Sequence, residues 1–285
     1  MANFFQNLMR IDRRVIFLLV AIAVIVPLIR PLRLPTYVNV HTQNLFDAVD
    51  RVPPNDKPIL LSVDYGPATM PELQPMTEAV LRHCFARKIR VMVITLGAEG
   101  VGLAEAALAN TASRYGAKSG EDYVFLGFKP GVGIVILKIG ESLKETFPSD
   151  AEGKPFEQIP MLRGVRNYED IPLVVTVAGS AVPQTWMVYA GTRYHARVGV
   201  GTTAVSSADY YPFLKTGQFV GMLNGMKGAA EYEWLLAKDN LSEGPRKASQ
   251  SMDAVSVVHL LIMAFIILGN IGYFAARQAG KKGGE

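Results

Sequence analysis

Asp64 closes a short apolar run, residues 58–64, directly before Tyr65-Gly66-Pro67. A carboxylate at the carboxyl end of a buried parallel strand is placed either to hold a metal, a ribose hydroxyl or a proton, or to cap the loop that follows, and the residue types leave both open. Ala178, Gly179 and Ser180 stand at the end of a second apolar run, residues 173–177, and Gly201, Thr202 and Thr203 at the end of a third, residues 198–203. Small and hydroxyl-bearing residues there let a ligand approach backbone amides. Asp64, Tyr65, Gly66, Gly179, Ser180, Thr202 and Thr203 are therefore the ligand-binding candidates; no cofactor is assigned.

Other chemistry is thinly supported. His41, His83, His195 and His259 are scattered, with no H-E-x-x-H and no paired cysteines, so no metal site is expected. Cys84 falls on the apolar face of its helix and reads as core. Ser180, Ser206 and Asp209 lack the G-x-S-x-G elbow that presents a serine nucleophile. Gly97-x-x-Gly100-x-Gly102 lies between a strand and a helix, where free amides favour phosphate. It inverts the order of the dinucleotide fingerprint, however, and reads as a tight turn. Gly199-x-Gly201-x-x-Ala204 places its glycines inside a strand, which reads as close backbone packing. Lys129-Pro130-Gly131-Val132-Gly133 lacks the Lys-Ser/Thr ending of a phosphate-binding loop, and a turn suffices.

One segment carries a signal for assembly. Residues 220–238 read as a helix, in which Gly221, Gly225 and Gly228 would each cost roughly 1 kcal/mol relative to alanine. At this spacing they share one bare face, flanked by Met222 and Met226, for another backbone to approach. That backbone belongs either to this domain's own sheet or to a partner.

The elements that must position these residues alternate. Strands are expected at residues 58–64, 89–96, 123–128, 173–177 and 198–203, and helices after the capping-box pair Thr69 and Glu72, with the regular part beginning near Pro75, at 103–115, 183–195, around 209–215, and from about 220 to 238. Residues 131–140 fit helix or strand. Residues 141–170, with Pro148, Pro155 and Pro160, read as a surface excursion with at most short helices. Residues 58–96 and 172–204 repeat the same order of strand, turn, helix, basic junction and strand. Two such βαβ units predict an α/β, Rossmann-like, mostly parallel sheet with flanking helices and a crevice where the units meet.

Two apolar segments bracket this domain. Residues 254–276 form 23 residues without formal charge, long enough to span ~30 Å of hydrocarbon. Residues 15–29 lie between Arg14 and Arg30 and read as an uncleaved signal anchor, since no small-x-small cleavage site follows. The expected layout is residues 1–35 for the cytoplasmic terminus and first span, 36–240 for the α/β domain, 241–253 for a linker, 254–276 for the second span and 277–285 for a cytoplasmic tail. Arg10, Arg13 and Arg14 against Arg30 and Arg33, and Arg277, Lys281 and Lys282 against Arg246 and Lys247, orient both termini to the cytoplasm and the domain outside it. His259 falls inside the second span, and Gly269, Asn270 and Gly272 form a small surface there for a neighbouring helix. A single cysteine excludes an intrachain disulfide, and a net charge of +4 over 285 residues is no nucleic-acid footprint.

The bilayer is thus one expected partner, and a membrane protein or a second copy another. The layout resembles, in architecture alone, auxiliary subunits of membrane transport machines. Two functions are carried forward: a non-enzymatic, membrane-anchored binding or assembly subunit of an envelope complex, and an anchored hydrolase or transferase working at the strand ends.

Overall fold

The computed structural model describes residues 12–32, 34–241 and 246–282. The flanking charges Arg10 and Arg33, residues 242–245 of the expected linker and the last three residues lie outside them. The chain divides into two units, Thr36–Ser249 and the two terminal segments Met1–Pro35 and Gln250–Glu285.

The first unit is built on six strands, β1 (Ile59–Asp64), β2 (Val91–Thr95), β3 (Tyr123–Phe128), β4 (Val174–Ala178), β5 (Val198–Thr202) and β6 (Met222–Asn224). All pair in parallel, in the order β3-β2-β1-β4-β5-β6. In chain order the helices are α1 (Arg13–Ile29), α2 (Val40–Asp50), α3 (Met70–Ala86), α4 (Val101–Tyr115), α5 (Val132–Glu141), α6 (Leu143–Thr146), α7 (Val182–Trp186), α8 (Tyr211–Lys215), α9 (Gly225–Lys238) and α10 (Lys247–Lys282).

Helices cover both faces, which is why β1, β2 and β4 are buried at every position and read as mostly apolar runs. On one face α3 packs against α4 and α9, with α2 beside α9. On the other, Leu60, Ile94, Val174 and Val200 meet Val135, Ile136, Trp186 and Tyr210 from the opposite connections. Gly199 is needed in β5 because a side chain there would run into Leu45 of α2. Gly100, in the 3-10 turn Ala98–Gly100, is needed because a Cβ would stand 2.5 Å from the Val63 carbonyl. The glycine motif after β2 is thus a turn drawn tightly against β1.

The excursion after α6 is ordered by three 3-10 turns, Phe156–Gln158, Pro160–Leu162 and Tyr168–Asp170, and buries Phe147, Phe156, Ile159 and Leu162. Ala151 donates its amide to the Phe125 carbonyl, so this segment covers the free edge of β3 and protects it from strand addition.

Several boundaries differ from expectation. Residues 131–140 resolve as helix, with Gly131 in the left-handed region at φ +91° before α5. The helix expected at 183–195 starts as α7 and widens into a π-helical segment, Met187–Thr192. The helix expected from residue 220 begins only at Gly225; Met222–Asn224 is instead the edge strand β6, too short to show a period of its own. Helix α2 was not expected. The linker expected at 241–253 is helical from Lys247 onward.

In the second unit, Lys247–Phe274 of α10 is long and apolar enough to cross a membrane, the one such helix among the described residues. Helix α1 is 17 residues long, with Asp12 accepting from the Arg14 amide as its cap and Pro27 in its last turn. Phe17, Ile29, Leu260 and Phe274 are exposed. Asp253 is buried, and its two carboxylate oxygens accept the Leu32 amide at 3.0 Å and the Leu34 amide at 3.2 Å. The carboxylate just before one apolar segment therefore holds the backbone just after the other.

Candidate functional site at the carboxyl ends of the strands

The chain leaves β1 toward β2 on one side and enters β4 on the other, so the order of connection reverses between these neighbours. Ligands of open α/β sheets bind outside the carboxyl ends at such a point. The register sets Asp64 opposite Ala178, Ala178 opposite Thr202 and Thr202 opposite Asn224, in one row across four strands. Tyr65 and Gly66 continue from the end of β1 and Gly179 and Ser180 from the end of β4, with Thr203 beyond β5.

Close up, most of these groups are turned to bonds within the chain. The Ser62 hydroxyl donates to Asp64 Oδ2 at 2.5 Å, and the Leu96 amide donates to Oδ1 at 2.6 Å, fastening β1 to the end of β2. Burial is the larger influence on this carboxyl and pushes its pKa up to about 6, against the pull of those two hydrogen bonds. The Tyr65 hydroxyl is turned into α3, bonding Gln74 Oε1 at 2.8 Å and Thr77 Oγ1 at 3.0 Å, and burial raises its pKa. The Glu99 side chain occupies the space a side chain on Gly66 would need, and Thr69 Oγ1 lies 2.9 Å from where a Cβ on Gly179 would be. Glu72 of α3 reaches across to accept the Ala204 amide at 2.9 Å. Thr203 Oγ1 accepts the Ser206 amide, and the Ser180 carbonyl accepts from the Tyr210 hydroxyl.

Thr202 is different. Among the described residues its buried hydroxyl has no hydrogen-bond partner, and neither do Thr176 Oγ1 and Trp186 Nε1. Alternation along the strands puts Ser62, Asp64, Thr176 and Thr202 on the face covered by α5, α7 and α8. This arrangement can bind a small polar group through hydroxyls and a buried carboxyl whose pKa is raised to about 6. Among the described residues no three His, Cys, Asp or Glu side chains gather as a metal would require.

The interface candidates are not on one helix face. Gly221 precedes β6, and a Cβ on it would stand 2.4 Å from the Leu45 amide nitrogen. Gly225 has φ +56° at the start of α9, with Ala204 and Glu72 closing on it, and Gly228 lies against the Leu223 backbone. Met222 is buried in the core and Met226 is half-buried. Close approach is indeed the reason for these glycines, and the approaching backbone is the domain's own.

Sequence reading did not find the polar network between helices. His83 Nδ1 bonds the Tyr232 hydroxyl at 2.8 Å, His83 Nε2 lies 3.2 Å from Asp50 Oδ1, and Phe46 stacks on the ring at 4.2 Å. Burial pushes the His83 pKa down to about 4, so the ring is neutral and ties α2, α3 and α9 together. The Cys84 thiol beside it is driven up to about 12 by burial and is inert. Next to this network Arg82 pairs with Glu233 at 3.2 Å, both buried. Glu233 also accepts the Ala248 and Ser249 amides, capping the first turn of α10. Nothing in the spacing of these residues announces the side-chain pairs of His83 and Arg82, which join positions 33 to 151 residues apart.

The chain matches no protein-family model, no curated protein and no solved structure.

Proposed function

We propose that this chain is a two-pass membrane protein whose α/β domain is a non-enzymatic binding or assembly subunit of an envelope complex, with both termini in the cytoplasm. The observation that carries this reading is the use of the strand-end groups. One Asp64 oxygen accepts from Ser62 of its own strand and the other fastens β1 to the end of β2, and Thr69 and Glu72 of the chain itself lean over Gly179 and Ala204. Support for the two-pass arrangement is Asp253, which ties the end of one apolar segment to the start of the other on a common side. The chain extracted from native membrane is expected to copurify with a membrane protein or as a homo-oligomer, identified by mass spectrometry and sizing. Isolation as a single copy that turns over a substrate would reject it.

The second reading, an anchored hydrolase or transferase, is favoured by the buried Asp64 carboxyl held near pKa 6 and the partnerless Thr202 hydroxyl one strand beyond Ala178. Under that reading Asp64→Asn abolishes turnover while the domain stays folded.

A further inference from the structure

Polar side chains break the apolar run of α10, and they are not equivalent. Ser256 donates to the Met252 carbonyl of its own helix at 2.8 Å, whereas His259 and Asn270 are exposed. In hydrocarbon such groups face another helix, because lipid tails offer an amide or an imidazole nothing to bond. His259, Met263, Ile266, Asn270 and Tyr273 follow one another at intervals of four, three, four and three. At about 100° per residue they form one stripe along the helix, and all five are exposed. Ala254 and Gly272, which are buried, lie roughly 140° round the helix from that stripe. The face of α10 already covered within the chain is thus not the face that carries the polar groups.

The chemistry of the stripe selects its occupant. An asparagine amide carries donors and an acceptor, and a neutral imidazole carries one of each, so either can be satisfied by its own twin, which a lysine or an aspartate could not. Copies of one chain insert in one orientation, set by the charges flanking the apolar run, so their α10 helices lie parallel. A two-fold axis between parallel helices sets like against like along the seam, Asn270 facing Asn270 and His259 facing His259. The four-three repeat is the seam of a left-handed pair, in which a single asparagine fixes register and the number of strands. We propose that the face of α10 bearing His259 and Asn270 pairs with the same face of a second copy of this chain, making the protein a parallel dimer in the membrane. This pairing deepens the assembly reading and rests on α10 crossing the bilayer.

Single cysteines replace Ile266, on the stripe, or Leu268, on the opposite side, in full-length protein with Cys84 changed to alanine, and native membranes are oxidised. Ile266→Cys is expected to give a disulfide-linked dimer of two copies, and Leu268→Cys none. Dissociation on dilution in lipid, followed by energy transfer between labelled copies, should be at least three-fold easier in Asn270→Leu, since an interhelical hydrogen bond in lipid shifts association by roughly three- to thirty-fold. Adding His259→Leu should weaken the pair further, and Asn270→Gln should keep part of the wild-type affinity. Cross-linking of Ile266→Cys to a different protein overturns the second copy and gives this face to another membrane helix. Equal cross-linking at both positions, or a dimer indifferent to Asn270→Leu and His259→Leu, overturns the proposal. Release of the wild type from its membrane by alkaline extraction would overturn the span itself, whereas retention without self-pairing overturns the pairing alone.

Discussion

Asp64 and His83 are both buried, and burial moves them in opposite directions. The folded state holds the Asp64 proton to about pH 6, whereas an ordinary carboxylate releases it near 3.8. Between those values the folded protein binds more protons than the unfolded chain, so this residue's contribution to stability is complete below pH 4 and is lost as pH rises to 6. His83 titrates near 4 when folded against 6.5 when unfolded, so its contribution is complete above 6.5 and is lost as pH falls to 4. The two slopes oppose each other across the same window. Asp64→Asn is expected to raise stability at pH 8 by an amount on the order of 2–3 kcal/mol, to change it little at pH 4, and to expose the His83 slope as a steady loss from pH 6.5 downward. Thermal unfolding of both proteins across pH 4–8 measures this, and parallel curves would show that the Asp64 carboxyl is not held protonated by its surroundings.

At the scale of elements, the first turn of α10 depends on a side chain from another helix. Glu233 pairs with Arg82 and accepts two amides of α10, so Glu233→Gln takes away a buried carboxylate charge facing the guanidinium and removes an anionic cap. A loss of roughly 3–5 kcal/mol is expected, with faster hydrogen exchange at Ala248 and Ser249. Exchange unchanged at those two amides would show that α10 is held by other contacts. Gly225 bears on the joint between β6 and α9. A leucine there would take a left-handed backbone and press on Ala204 and Glu72, so Gly225→Leu should lower the unfolding temperature of the domain itself, by about 1–3 kcal/mol or more. An unaltered melt with loss of a larger assembly would restore a partner-facing role for this glycine.

For the whole molecule, the consequence of the Asp253 bonds is that the backbone after the first apolar segment is tied to the start of the second. Asp253→Ala should speed exchange at the Leu32 and Leu34 amides, which lose their acceptor. Cysteines placed at Asn3 and Gly283, in a background with the buried Cys84 changed to alanine, should resist an impermeant reagent in intact cells and react after lysis. Reaction of either from outside would reverse the proposed orientation.

What could be read from the residues alone is what depends on near neighbours. Mostly apolar runs such as residues 59–63 mark strands covered on both faces, the four-residue recurrence of Met76, Val80 and Cys84 marks a helix, and 23 uncharged residues mark a helix able to cross a membrane. Two repeats of strand and helix also implied that Asp64 and Gly179 would come to neighbouring strand ends, because right-handed crossovers leave few ways to arrange them. Tertiary structure decided the rest. Edge strand β6 spans three residues and forms only because β5 offers it a ladder, so residues 220–224 carried no period to distinguish them from the helix that follows. Gly221 answers to the backbone of α2, where a Cβ would meet the His41 carbonyl and the Leu45 amide, far back along the chain. Whether Asp64 faces a ligand or a neighbouring amide, which carboxylate takes Arg82, and what holds Leu32 and Leu34 were all settled by groups far along the chain. A side chain's type sets what it can bond, but its partner is whichever group the packed elements bring within about 3 Å, and that distance is a property of the fold.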